Sequence, residues 1–231
     1  MPQTRPTAPA PQTAAPEPPA PPPEFQEGAI STMDAPALIR VLTDAGSQEF
    51  KKAKACQRVG ELGAKEAVPV LATLLADEHL SVYARYGLEP IADPSADEAL
   101  RAALSKLKGK QLIGVINSIG KRRDAKAGPS LAGMIYSADA DVANAAAAAL
   151  GSLGGPSSAR ELQSALAKTK GMTRMAVADA SLVCAERLLG EGKRDEALAL
   201  YTSLSAPDVP KAARLAAMQG IIREETSTNR R

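Results

Sequence analysis

The stretch Asp141–Gly155, DVANAAAAALGSLGG, sets five consecutive alanines ahead of a leucine, a glycine and a second Leu-Gly-Gly close. Alanine is the best helix former, and a glycine suits the left-handed position that ends a helix. The segment is therefore either low-complexity filler or a helix whose neighbours require it to be thin. Similar segments earlier in the chain decide for the helix. RVGELGAKEA, GLEPIADPSADEA, NSIGKRRDAKA and AALGSLGGPSSA each carry an apolar run into a tight turn. Leu62-Gly63, Ile91-Ala92, Ile119-Gly120 and Leu153-Gly154 occupy corresponding places in them.

After each turn comes a second apolar segment, a leucine followed four residues later by another apolar residue: Leu71–Leu75, Leu100–Leu104, Leu131–Ile135 and Leu162–Leu166. A looser copy starts at Leu198, with Tyr201 and Leu204, and the anchor leucines recur after 29, 31, 31 and 36 residues. A fixed period near thirty is the mark of a repeat architecture. Each unit reads as helix, short turn, helix, with an apolar face too small to bury alone, so stacking has to supply the core.

Helix starts follow the same plan. Ser95-x-x-Glu98 and Ser158-x-x-Glu161 have the spacing of capping boxes at second helices. Ser81 and Asp141 stand where first helices should be capped, and Asp208, with Pro210 beyond it, opens a final helix through about Arg223. Two units depart from the pattern. Pro90 shortens or bends the first helix of the second unit, and the fifth unit is longer, reading as a tetratricopeptide-like hairpin around Gly190–Lys193.

LGAKEAVPVLATLLAD at Leu62–Asp77, together with Asp141–Gly155, resembles the HEAT-repeat family in the short form also found in phycobilisome-lyase-like HEAT proteins. The longer segment Lys52–Asp93 is similar to secreted HEAT-repeat proteins of environmental bacteria such as planctomycetes and verrucomicrobia. The resemblance spans roughly residues 47 to 224. It implies an all-α fold, a right-handed α-α superhelix (HEAT-like solenoid) of about five helical hairpins plus a terminal helix. The solenoid is expected over 30–226, behind a disordered Pro/Ala-rich linker over 1–29 and before a disordered tail over 227–231. The alanine run is then a packing device that lets adjacent helices approach at the short end of ~8–10 Å.

Composition agrees with helices and excludes other classes. Hydrophobic residues make up 45% of the 231-residue chain and aromatics only 3%, with no tryptophan, which disfavours a sandwich or barrel. Twenty-eight basic residues against 26 acidic ones leave a formal charge of +2, no electrostatic footprint for nucleic acid or an anionic membrane. No run approaches the roughly 18–20 apolar residues of a membrane span, and no charged-then-apolar leader opens the sequence. Ten of the 18 prolines fall within residues 1–23, an extended linker, with a PxxP ligand as the alternative. Such tracts often follow an anchor or removed leader in envelope proteins. With the resemblance, this puts a bacterial cell envelope or periplasm ahead of the cytoplasm.

Catalytic constellations are missing from the sequence. The single histidine, His79, lies in a predicted loop beside Asp77 and Glu78, where adjacent side chains point different ways. Cys56 and Cys184 form no CxxC, and four units at ~10 Å each separate them far beyond disulfide reach, so both read as small buried hydrophobes. There is no GxxxxGK[ST] loop, no strand-borne GxGxxG and no GxSxG elbow. No cofactor, metal or catalytic residue is expected, and the protein reads as no enzyme.

Basic residues are what remains. Lys106, Lys108, Lys121, Arg122, Arg123 and Lys126 form the candidate partner-contacting patch, with Lys121–Arg123 presented together on an enlarged turn. A backbone-tracking solenoid needs a cation at the same place in successive units. Six residues past the anchors the residues are Asp77, Lys106, Ser137, Lys168 and Leu204, so no basic ladder runs along the chain. The leading expectation is a non-catalytic scaffold binding a protein partner through the concave surface that second helices line in HEAT solenoids. A lyase-like accessory role toward a tetrapyrrole or other small ligand comes second, and nucleic-acid binding third.

Overall fold

A computed structural model describes residues 30–228 of the chain. Twelve α-helices, and no strand, occur among them. Five hairpins follow one another: α2 (Glu49–Glu61) with α3 (Val68–Leu74), α4 (Ser81–Leu88) with α5 (Pro94–Ala103), α6 (Gly109–Arg122) with α7 (Gly128–Met134), α8 (Ala140–Leu153) with α9 (Gly155–Lys168), and α10 (Gly171–Gly190) with α11 (Arg194–Ser203). Helix α12 (Lys211–Thr228) ends the array. First helices stack on first helices in the order α2, α4, α6, α8, α10, α12. Second helices meet likewise, α3 on α5, α7 on α9 and α9 on α11. The predicted all-helical solenoid is what the chain forms. The linker expected over 1–29 lies outside the described residues, as does 229–231 of the expected tail, and α12 itself continues to Thr228.

One further helix, α1 (Ala35–Thr43), precedes the repeats and packs on α2. It escapes the repeat pattern because nothing pairs with it in sequence as a second helix. Its local signals are nevertheless ordinary. The Asp34 carboxylate accepts the Ala37 N–H at 2.9 Å, Pro36 occupies the first turn, and Leu38 and Leu42 are buried at the spacing of one helical turn.

The core is one continuous seam of Leu, Ile, Val and Ala from Ile30 to Ala217. Within the alanine run, Ala146, Ala147 and Ala149 are buried, Ala145 is half-buried and Ala148 faces solvent. Helix α8 is gripped by α6 on one side and α10 on the other. A Cβ placed on Gly120 of α6 would lie 3.0 Å from the Ala149 Cα, and one on Gly151 would lie 2.6 Å from the Ala180 carbonyl oxygen. Larger residues would hold the helices apart, so the small side chains set the spacing of the stack.

Several local expectations are corrected. Glycine 120 is not the left-handed residue of its turn; Arg123 is, at φ 57°. The structurally equivalent residues are Gly63 and Arg123, because Ala64 N–H bonds back to the Val59 carbonyl as Asp124 N–H does to Ile119. Both are six-residue closures of a helix C-terminus. Caps are also displaced by a few residues. The Asp77 carboxylate, rather than Ser81, takes the N–H groups of His79 and Leu80 ahead of α4. Asp139, rather than Asp141, caps α8. Asp93 caps α5, leaving Ser95 inside its first turn, and Ser158 is buried within α9 instead of capping it. Asp208 stands ahead of α12 and pairs with Arg174 of α10. At α4, α5 and α8 a neighbouring carboxylate has the better reach to free N–H groups, at α9 Gly154 makes no side-chain cap, and spacing alone does not rank the candidates.

Pro90 acts as expected. Helix α4 stops at Leu88 after eight residues, whereas α2 has 13 and α6 and α8 have 14. In the fifth hairpin α10 runs 20 residues, and Gly192, at φ 74°, closes its turn.

Candidate binding surface

The six predicted basic residues divide into two groups. Lys106 and Lys108 lie in the connection from α5 into α6, whereas Lys121 and Arg122 form the last turn of α6, with Arg123 and Lys126 just beyond. Fourteen helical residues at about 1.5 Å each set the two groups roughly 20 Å apart. They do not merge into one patch.

Arg122 is drawn inward, contrary to a role in contacting a partner. Its side chain is 8% exposed. One guanidinium nitrogen donates to the Leu88, Glu89 and Ile91 carbonyls at 2.9, 2.8 and 2.7 Å, and Nε donates to Asp97 at 2.6 Å. Leu88 and Glu89 close the early end of α4 and Ile91 follows it, and the Leu88 carbonyl also accepts the Ile91 N–H at 3.3 Å. The last carbonyls of any helix lack an intrahelical donor, and Pro90 supplies no N–H of its own. The irregular unit and the basic cluster are thus one feature: Arg122 from the third repeat completes the helix that Pro90 shortens in the second.

Lys121 bonds Glu89 at 2.5 Å from an otherwise exposed position, and Glu89 also accepts the Ser118 hydroxyl at 2.8 Å. The hydrogen bond and charge of Glu89 raise the Lys121 ammonium above its ordinary pKa. Arg85 of α4 donates across to the Gly114 carbonyl and Ser118 of α6 at 3.3 and 3.4 Å. Arg101 of α5 pairs with Asp124, just past α6. The hairpins of units two and three are therefore joined by four cationic side chains, of which Arg85 and Arg101 were not singled out in the sequence. Nothing in their spacing marks them, since each partner lies 23 to 33 residues away.

Lys106, Lys108, Arg123 and Lys126 are exposed. Lys106 borders a shallow cleft of about 140 Å³ between α3 and α5, walled by Ala72, Leu75, Ala76, Ala99 and Ala102. At the other end of α6, Tyr86, Glu89, Pro90 and Lys121 line a second depression of about 290 Å³.

His79 is exposed, with Nδ1 3.6 Å from a Glu49 carboxylate oxygen. Both cysteines are buried free thiols. Burial pushes Cys56 up to about 12 and Cys184 up to about 11, the latter also under the charge of Glu191. Among the described residues no group of three His, Cys, Asp or Glu side chains is placed to hold a metal ion, and no helix is long and apolar enough to cross a membrane.

These features define a helical-repeat solenoid with an alanine-lined cleft between α3 and α5 and a lysine at its rim. No family model matches the sequence, and no curated protein matches it. Among solved structures the chain is similar to human deoxyhypusine hydroxylase in complex with glycerol, at 17% identity, over 83% of this chain and 74% of that one, with a TM-score of 0.41.

Proposed function

We propose that the protein is a non-catalytic scaffold that holds a protein partner along the face built by its second helices, the concave surface of a HEAT-like solenoid. The observation that carries this reading is the alanine-lined cleft between α3 and α5, with Lys106 at its edge. Small side chains there leave the surface open to an extended segment, and the lysine gives such a segment one electrostatic anchor. A protein is favoured over nucleic acid because Lys121 and Arg122 are already matched by Glu89 and Asp97, and the remaining cations are split across α6. The proposed location is a bacterial cell envelope, a reading supported only by the resemblance to secreted repeat proteins, and fractionation of the source cells checks it.

The test is capture from lysate and envelope fractions with two baits, the full chain and residues 30–231, read by mass spectrometry. A partner held by both baits, and lost from an Ala76→Glu/Ala102→Glu bait that retains its helical spectrum, supports the reading. Both substituted positions are exposed, so the fold tolerates the charges. Recovery with the full chain alone moves recognition to residues 1–29. Capture unaffected by the double substitution removes this cleft from the interface.

A further inference from the structure

The last helix carries an apolar stripe that no other described residue covers. Leu215, Met218 and Ile222 are 49%, 56% and 58% exposed, directly opposite the face where Ala213, Ala217 and Gly220 pack inward. Lys211 precedes this stripe and Glu225 follows it, both exposed. The five residues are spaced 4, 3, 4 and 3 apart, the heptad spacing by which two helices pack side by side.

The stripe has a symmetry of its own. Met218 is its centre, Lys211 lies seven residues before it and Glu225 seven after. Neither Lys211 nor Glu225 has an ion-pair partner among the described residues. When two copies of α12 are laid antiparallel about Met218, each Lys211 meets the partner's Glu225, each Leu215 lies beside the partner's Ile222, and the two Met218 side chains meet on the axis. A patch that matches itself in this way is what a two-fold dimer interface requires. Leu215 and Met218 also border a cleft of about 280 Å³ walled by Ser205, Lys211 and Arg214, a recess for an apolar side chain from a facing helix.

We infer that α12 is a homodimerisation helix, and that a second copy of this chain covers it in an antiparallel, two-fold arrangement centred on Met218. A partner of another sequence would have to reproduce an acidic end and a basic end at equal distances from one apolar centre; a second copy has both by construction of the sequence. The dimer leaves the α3–α5 cleft, at the other end of the stack, free on each protomer.

Sedimentation of the full chain over a dilution series tests this. The wild type should show a concentration-dependent species of twice the 23.9 kDa chain mass, and Met218→Glu should abolish it while the far-ultraviolet spectrum is unchanged. Lys211→Glu and Glu225→Lys should each weaken dimerisation by about tenfold, because two exposed pairs become repulsive. The double variant Lys211→Glu/Glu225→Lys should recover to within about threefold, since it restores both pairs with their signs exchanged. In parallel, oxidised Met218→Cys should give a covalent dimer and Thr202→Cys, exposed on α11, should not. A wild type monomeric up to about 0.1 mM, a dimer indifferent to Met218→Glu, or no recovery in the double variant would each overturn the assignment.

Discussion

Gly151 of α8 and Ala180 of α10 meet so closely that a Cβ on the glycine would stand 2.6 Å from the Ala180 carbonyl oxygen and 3.0 Å from its Cα. The obstacle is backbone, which cannot swing aside. Ala ordinarily gains about 1 kcal/mol over Gly in a helix interior. Here overpacking of ~1–3 kcal/mol opposes that gain, so Gly151→Ala is expected to be net destabilising. The midpoint of urea unfolding reads the sign, and an increase would mean that α8 and α10 are further apart than described.

Arg122→Gln removes the donor shared by the Leu88, Glu89 and Ile91 carbonyls and the charge opposite Asp97. A loss of roughly 3 kcal/mol is expected, in the range for breaking a buried, hydrogen-bonded charge pair. Arg122→Lys should recover only part of it, because one ammonium cannot reproduce the planar fork. Chemical denaturation of both variants distinguishes this structural role from a surface one, which would leave stability within about 0.5 kcal/mol of the wild type.

Arg123→Gly is expected to stabilise. The native residue holds φ 57° in the turn where Gly63 serves the equivalent position. Relief of a left-handed non-glycine residue is worth about 1 kcal/mol, partly offset by the greater freedom of glycine in the unfolded chain. A small rise in Tm is the expected reading.

Acid should weaken the junction of the first two units. The Leu80 N–H, foremost, and the His79 N–H hold the Asp77 carboxyl below its ordinary pKa against the opposing effect of burial. A depressed folded value means that this contribution is complete above the ordinary carboxylate pKa of about 3.9 and is lost as pH falls through the folded value. Asp77→Ala should cost about 1 kcal/mol at pH 7, and its stability should fall less steeply than the wild type's between pH 5 and pH 2, by roughly the size of that cap. Parallel acid limbs would show that Asp77 does not contribute through its charge.

The thiols should be silent in the folded protein. Burial raises Cys56 to about 12 and Cys184 to about 11, so at pH 8 neither presents a thiolate to a disulfide reagent. Both should react in denaturant. Rapid labelling of the native protein would show that α2 or α10 opens locally.

Much of this was readable from residue order alone. The five hairpins, the short helix before Pro90, the long fifth hairpin and the buried alanines of α8 all follow from local propensity, periodicity and backbone chemistry, which act within a few residues. Helix α1 was not, since a helix outside the repeat has no second copy to align with. Caps were found to within a few residues only, because several polar side chains near each helix start compete for the same N–H groups and their reach depends on the turn. What only the tertiary structure decided is the fate of the charges. Lys121 and Arg122 stand among six candidate cations in the sequence, yet their partners Glu89 and Asp97 lie 32 and 25 residues earlier. Stacking successive hairpins is what brings them together. An ion pair depends on distance in space, and in a solenoid that distance is set by how one repeat sits on the next.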